Sequence, residues 1–153
     1  MKNLLIAAHT PSENTRSLAN TLLHAAKCAP NGVHPELLTP FDIDKIALEK
    51  ADGIILFTPE NFGYMSGALK DMFDRCYYEV IDSKRGTPYC LVVRAGKDGT
   101  GTVKAVESIT KGLGWKRVQA PLVLQGEYQH ERFSAQTREL AQGFAEALEA
   151  GIV

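Results

Sequence analysis

Two uninterrupted apolar runs, Leu4-Leu5-Ile6-Ala7-Ala8 and Gly53-Ile54-Ile55-Leu56-Phe57, and a third strong strand over 88–94, apolar up to Arg94, punctuate the chain. Continuous rather than alternating apolar stretches of this length fit strands covered on both faces. Between them the period changes to three and four. Leu18, Ala19, Leu22, Leu23 and Ala26 share one helical face, and Met65, Leu69, Met72, Phe73, Cys76 and Val80 share another. Val103, Val106, Ile109 and Leu113 mark a third helix, stopping at Gly112 and Gly114, and Leu140, Ala141, Phe144, Ala145 and Leu148 mark a last one starting after Ser134. Pro30-Asn31-Gly32 ends the first helix, Ser66 suits the N-cap of the second, and a short helix opens at 41–46 with Asp42 as its cap. Residues 33–38 and 118–124 are weaker strands, interrupted by Pro35 and Pro121, which places both at sheet edges.

The order is a strand followed by a helix, five times over, with no repeat or linker, so residues 1–153 read as a single domain. This alternation predicts a three-layer, doubly wound α/β fold with a five-stranded parallel sheet. Edge character in the second and fifth strands selects the strand order 2-1-3-4-5, whose switch point lies between strands 1 and 3. The loops following those two strands then face one crevice, with the loop after strand 4 beside them.

Composition narrows the classes. A formal net charge of −1 excludes nucleic-acid or anionic-membrane partners held by bulk electrostatics. Cys28, Cys76 and Cys90 are odd in number and far apart, matching neither a zinc site nor a disulfide framework, so a reducing cytoplasm is expected. The four histidines have no metal-ligand spacing, and the opening apolar run is too short for a signal peptide.

The loop Thr10-Pro11-Ser12-Glu13-Asn14-Thr15 runs into a helix N-terminus, where free N–H groups and the dipole favour an anion. Its hydroxyls and amide exceed what a cap needs, although capping by Ser12 or Asn14 alone also accounts for part of the pattern. It carries no G-K-[ST], which sets it apart from a nucleoside-triphosphate site. In Thr58-Pro59-Glu60-Asn61-Phe62-Gly63, Pro59 stiffens the chain, Gly63 permits close approach, and Phe62 and the following Tyr64 offer π-faces to a flat ligand or to a neighbouring surface. Ala95-Gly96 with Gly99 and Gly101 form a glycine-rich loop whose spacing is inverted relative to G-x-G-x-x-G, so it reads as a mobile loop approaching a ring and not as a dinucleotide fingerprint. No G-x-S-x-G is present, and Thr58 stands where a phospho-acceptor aspartate would be wanted.

These loops together resemble the flavodoxin-like flavoproteins, and among them the small NAD(P)H-dependent FMN and quinone reductases. The phosphate loop of that group runs [ST]-x-[ST]-G-x-T; residues 10–15 follow it with Glu13 in the glycine position. Its flavin loop, T-P-x-Y-x-G followed by L-K-x-x-x-D, is met by residues 58–63 and by Leu69, Lys70 and Asp74, with Asn61 and Phe62 in an altered aromatic register. The resemblance implies bound FMN, its phosphate on Ser12, Glu13, Asn14 and Thr15 beside Thr10. The ring would lie between the 58–63 loop and the glycine loop. NAD(P)H would be the donor, through flavin N5, and a quinone, free flavin or similar small molecule the acceptor, with no catalytic side chain and no metal. It also implies a homodimer, for which Phe62, Tyr64, Tyr77 and Tyr78 would supply surface. For a 2′-phosphate, Arg16, Arg94 and Lys97 are candidates by position only, and the sequence assigns none of them. A flavodoxin-type electron carrier and a flavin-free binding module remain alternatives. The first is disfavoured by the weak net charge, because such carriers steer by strong acidity; the second is kept open by Glu13.

Overall fold

The computed structural model describes residues 1–29 and 32–153, so the stop expected at Pro30-Asn31 lies outside the described residues. Strands β1 (Lys2–Ala8), β2 (Val33–Leu38), β3 (Gly53–Pro59), β4 (Pro88–Ala95), β5 (Lys116–Arg117) and β6 (Leu122–Gln125) alternate with helices. The helices are α1 (Glu13–Lys27), α2 (Lys45–Lys50), α3 (Gly67–Val80), α4 (Thr100–Leu113) and α5 (His130–Glu149). All strand pairings are parallel, in the order β2-β1-β3-β4-β5, with β6 also on β4. The expected order therefore holds, with the switch point between β1 and β3.

The apolar runs are continuous because both faces are covered. Leu4, Ile6, Ile55, Phe57, Cys90 and Val92 face α1 and α5, while Leu5, Ala7, Ile54, Leu56, Leu91 and Val93 face α2, α3 and α4. Each fully buried aliphatic side chain in these layers contributes on the order of 2 kcal/mol. This two-sided clamp fixes the carboxyl ends of β1, β3 and β4 as a rigid rim.

Local details differ from the sequence expectation in four places. The single fifth strand over 118–124 is broken into β5 and β6, with residues 118–121 outside either strand: the Val118 N–H still donates to the Tyr89 carbonyl at 3.1 Å, but Pro121 cannot donate to a ladder. The short helix is capped by Asp44, whose carboxylate accepts from the Ala47 N–H at 2.9 Å. Asp42 instead ends a 3-10 turn that begins at Pro40. The last helix starts at His130, four residues earlier than Ser134, without a side-chain cap to announce it. Gly112 lies inside α4, whose cap is Gly114 with φ of 72°.

Candidate functional site at the carboxyl rim

Two loops leave the neighbouring strands β1 and β3 at the switch point. The first leaves β1 after Ala8, where the His9 N–H extends the ladder to the Phe57 carbonyl at 3.2 Å, and enters α1 at Ser12. Ser12 and Thr15 form a reciprocal capping box. The Thr15 N–H donates to Ser12 Oγ at 3.2 Å and the Ser12 N–H to Thr15 Oγ1 at 3.0 Å. Two of the three hydroxyls that the sequence assigns to a ligand, those of Ser12 and Thr15, are thus engaged with the helix start, and Thr15 is buried besides. Left facing outward are the N–H groups of Glu13 and Asn14, which make no hydrogen bond among the described residues, the Asn14 amide and the half-buried Thr10. Glu13 is the first residue of α1, in ordinary helical conformation and exposed, so the position makes no demand for glycine. Its carboxylate sits at the positive end of the dipole.

The second loop follows β3. Thr58 and Pro59 are its buried frame and face no solvent. The Thr58 hydroxyl donates to the Pro59 carbonyl at 2.8 Å and accepts from the Ser66 N–H at 2.9 Å, closing the loop at its base. Ser66 then caps α3, as its sequence position predicts, by accepting from Leu69 N–H. At the tip, Asn61 and Tyr64 exchange two backbone hydrogen bonds of 2.9 Å around Phe62 and Gly63. Those two residues have φ of 53° and 71°, the pairing of positive values that defines a type I′ turn. For a bulky residue such as Phe62 this is a strained conformation. The ring is also wholly exposed, at 107% of its reference area, while Tyr64 is 41% exposed. The turn therefore presents, at the carboxyl rim, an aromatic face and the N–H groups of Phe62 and Gly63, which have no hydrogen-bond partner among the described residues.

The third element is the loop from β4 into α4. Here the expected mobile glycine loop is largely fixed. Ala95 is buried in the strand. Gly99 is the buried N-cap of α4 with φ of 70°. Gly101 lies within the first helical turn, where a Cβ would collide with the Gly63 carbonyl oxygen. Only Gly96 opens onto free space. Glu60, half-buried, joins the two loops, its N–H donating to the Arg94 carbonyl and its carboxylate accepting from the Lys97 N–H, both at 2.9 Å.

Of the basic residues singled out, Arg94 is withdrawn from solvent chemistry. Its Nη1 donates to the Ala95 and Leu124 carbonyls at 2.9 and 3.1 Å. Its guanidinium lies 5.1 Å from the centre of Phe133 and 5.7 Å from that of Tyr128, and burial lowers its pKa. Arg16 and Lys97 remain exposed. Among the aromatics, Tyr77 is partly buried against the core, its hydroxyl packed at Gly112, whereas Tyr78 is 85% exposed. Two neighbours of the rim escaped the sequence reading. Phe41, in the turn after β2, meets the His9 ring edge-on at 6.2 Å, and Tyr128 follows β6 at the same end of the sheet. The topology alone could have found them, because every loop after a parallel strand emerges on one side.

Among the described residues there is no group of three or more metal-ligating side chains, and no helix is long and apolar enough to cross a membrane.

The family model described as NADPH-dependent FMN reductase matches residues 45–133, more than half of the 153-residue chain and including the Thr58–Asp74 segment in full. No curated protein sequence matches the chain. Among solved structures, a flavodoxin from the domain Archaea is 15% identical with a TM-score of 0.79, over 97% of this chain and 99% of that one. A flavodoxin, WrbA-like protein from Agrobacterium tumefaciens is 15% identical with a TM-score of 0.74, over 98% and 99% of the two chains. A flavone reductase is 17% identical with a TM-score of 0.70, over 97% of this chain and 63% of its own. At such identities these likenesses show the flavodoxin-like fold.

Proposed function

The chain belongs to the NADPH-dependent FMN reductase family, and from that premise we propose that it binds FMN and moves electrons from NAD(P)H to a quinone, free flavin or similar small acceptor. The observation that carries the reading is the meeting, at one switch point, of an anion-compatible helix start with an exposed aromatic turn. The donor set suits a phosphate ester. The N–H groups of Glu13 and Asn14 and the exposed Asn14 amide lie at the positive end of a 15-residue helix, with the half-buried Thr10 in the loop that precedes it. Ser12 and Thr15 support this end indirectly, by holding the first turn in shape. The N–H groups of Phe62 and Gly63, with the open backbone at Gly96, suit the polar edge of a planar ring.

When bound, FMN supplies reversible hydride chemistry through its ring. What this chain contributes is placement. The buried frame of Thr58, Pro59 and Ser66 holds the turn at the rim. Phe62 offers a π-face against which a nicotinamide or flat acceptor stacks, and the exposed Arg16 and Lys97 supply positive charge for the phosphates of the donor. No side-chain acid or base is required of the site.

Titration with FMN, followed by flavin fluorescence, and then NAD(P)H oxidation with a quinone acceptor, tests the reading in two stages. Absence of FMN binding refutes it. Binding without NAD(P)H turnover would transfer the protein to the electron-carrier reading, which a net charge of −1 disfavours. The proposal extends to a homodimer built on the exposed Phe62, Tyr64 and Tyr78, and to the cytoplasm, where the free thiols of Cys28, Cys76 and Cys90 stay reduced. Sedimentation of the purified chain checks the first of these.

A further inference from the structure

We propose that Glu60 is a positioning residue of the flavin site, a latch that makes the ring-facing loop after β3 and the loop after β4 move as one wall, and not itself a flavin ligand. The inference rests on the flavin reading above and adds to it. Glu60 is engaged at both ends: its N–H continues the β3–β4 ladder onto the Arg94 carbonyl, and its Oε1 alone crosses to the loop after β4, accepting from the Lys97 N–H, each at 2.9 Å. A second contact lies on the other side of the tip, where the Gly63 carbonyl oxygen rests so closely on Gly101 that no Cβ could be accommodated. Between these two points stand only Asn61, Phe62 and Gly63, the exposed and strained part of the loop.

A type I′ turn carrying a phenylalanine at positive φ does not hold itself in place cheaply, and its own backbone pairing extends over only Asn61 and Tyr64. Glu60 at the base and Gly101 beneath the tip supply the external support. The same contacts order the Lys97 segment, which is otherwise exposed and contains the open Gly96. The carboxylate thereby acts on the ligand through two backbones. Its acceptor function, not its charge, is what the geometry uses, since the partner is a neutral peptide N–H.

The test separates the ring end of the site from the phosphate end by using lumiflavin, which has the ring and lacks the phosphate, beside FMN. Glu60→Ala weakens lumiflavin and FMN binding by the same factor, about tenfold, the upper end for one lost hydrogen bond. Glu60→Gln keeps an acceptor oxygen and stays within about threefold of the wild type. Gly101→Ala, which pushes on the loop from its other support, reproduces the alanine effect. Asn14→Ala, at the phosphate end, weakens FMN and leaves lumiflavin unchanged. In the ligand-free protein, hydrogen exchange at the Lys97 amide speeds up about tenfold in Glu60→Ala and not in Glu60→Gln. Unchanged Lys97 exchange in Glu60→Ala overturns the latch, as does a Glu60→Gln variant as impaired as Glu60→Ala, which would assign the carboxylate to direct ligand contact. A wild-type chain that bound neither flavin would refute the function itself, an outcome distinct from one in which binding is intact and indifferent to Glu60.

Discussion

Replacing Phe62 with asparagine should make the ligand-free protein more stable while harming its activity. The ring is 107% exposed, so its removal withdraws no buried apolar surface from the fold. What changes is the backbone term. Phe62 sits at φ of 53°, in a region that costs an ordinary residue about 1–2 kcal/mol, whereas asparagine enters it readily because its short polar side chain bonds locally. Asn-Gly is moreover the favoured central pair of a type I′ turn. The expected gain is roughly 1 kcal/mol, which for a chain of this size raises the unfolding midpoint by about 2–4 °C. Differential scanning calorimetry of the two ligand-free proteins at equal concentration reads it. Activity with a quinone acceptor should fall in the same variant, because the stacking face is gone. A stability equal to or below that of the wild type would refute the argument, since it would mean that the exposed ring makes contacts worth more than its strain.

Other outcomes follow from single groups. Thr102 is fully buried and its hydroxyl has no hydrogen-bond partner among the described residues, so Thr102→Val should stabilise the fold by about 1 kcal/mol in urea unfolding. Ser66→Ala removes the α3 cap and should lower stability by about 1 kcal/mol, seen as an earlier thermal midpoint. Burial lowers the His9 pKa from its ordinary 6.5, so as pH falls through 6.5 the unfolded chain takes up that proton before the folded one does. Stability attributable to His9 is thus lost between pH 6.5 and the lower folded value, and the loss levels off below it. His9→Asn should flatten this segment of a stability–pH profile measured against the wild type.

The layout of the fold could be read from sequence because its strongest signals are the ones that packing enforces. The runs at 4–8, 53–57 and 88–93 are apolar at every position since no face of those strands meets water there, and the helical stripes point at them. Less visible were features set by a single distant contact or by a missing one. Nothing in His130-Glu131-Arg132 distinguishes the first turn of α5 from a polar loop, because Gln129 makes no side-chain cap. Asp42 and Asp44 are equally good caps on paper, and only the 3-10 turn at Pro40 decides between them. At the site, sequence and structure agree that residues 10–15 and 58–63 follow neighbouring strands, but which of their groups hold the loops in shape is visible only in the structure. Asn-Phe-Gly-Tyr is not a standard hairpin signal, so Gly63 points to a turn but nothing in the sequence points to the positive φ at Phe62. The glycine at 101 looks like loop flexibility until the Gly63 carbonyl is found against it.

The break between β5 and β6 has a consequence for how the molecule behaves among its own copies. An open parallel sheet ends in two rows of unpaired peptide groups, each a template on which another chain could add a strand. On one side the row passes through Pro35 in β2, which offers no N–H to any newcomer. On the other it is cut into pieces of two and four residues by the stretch that contains Pro121, leaving no straight length for an incoming strand to follow. Restoring hydrogen-bonding capacity at these two prolines, with Pro35→Val and Pro121→Val together, should leave the monomer's layers intact and increase its tendency to form β-rich aggregates on partial unfolding. The two prolines that mark the edges in the sequence are thus also its guard against polymerisation.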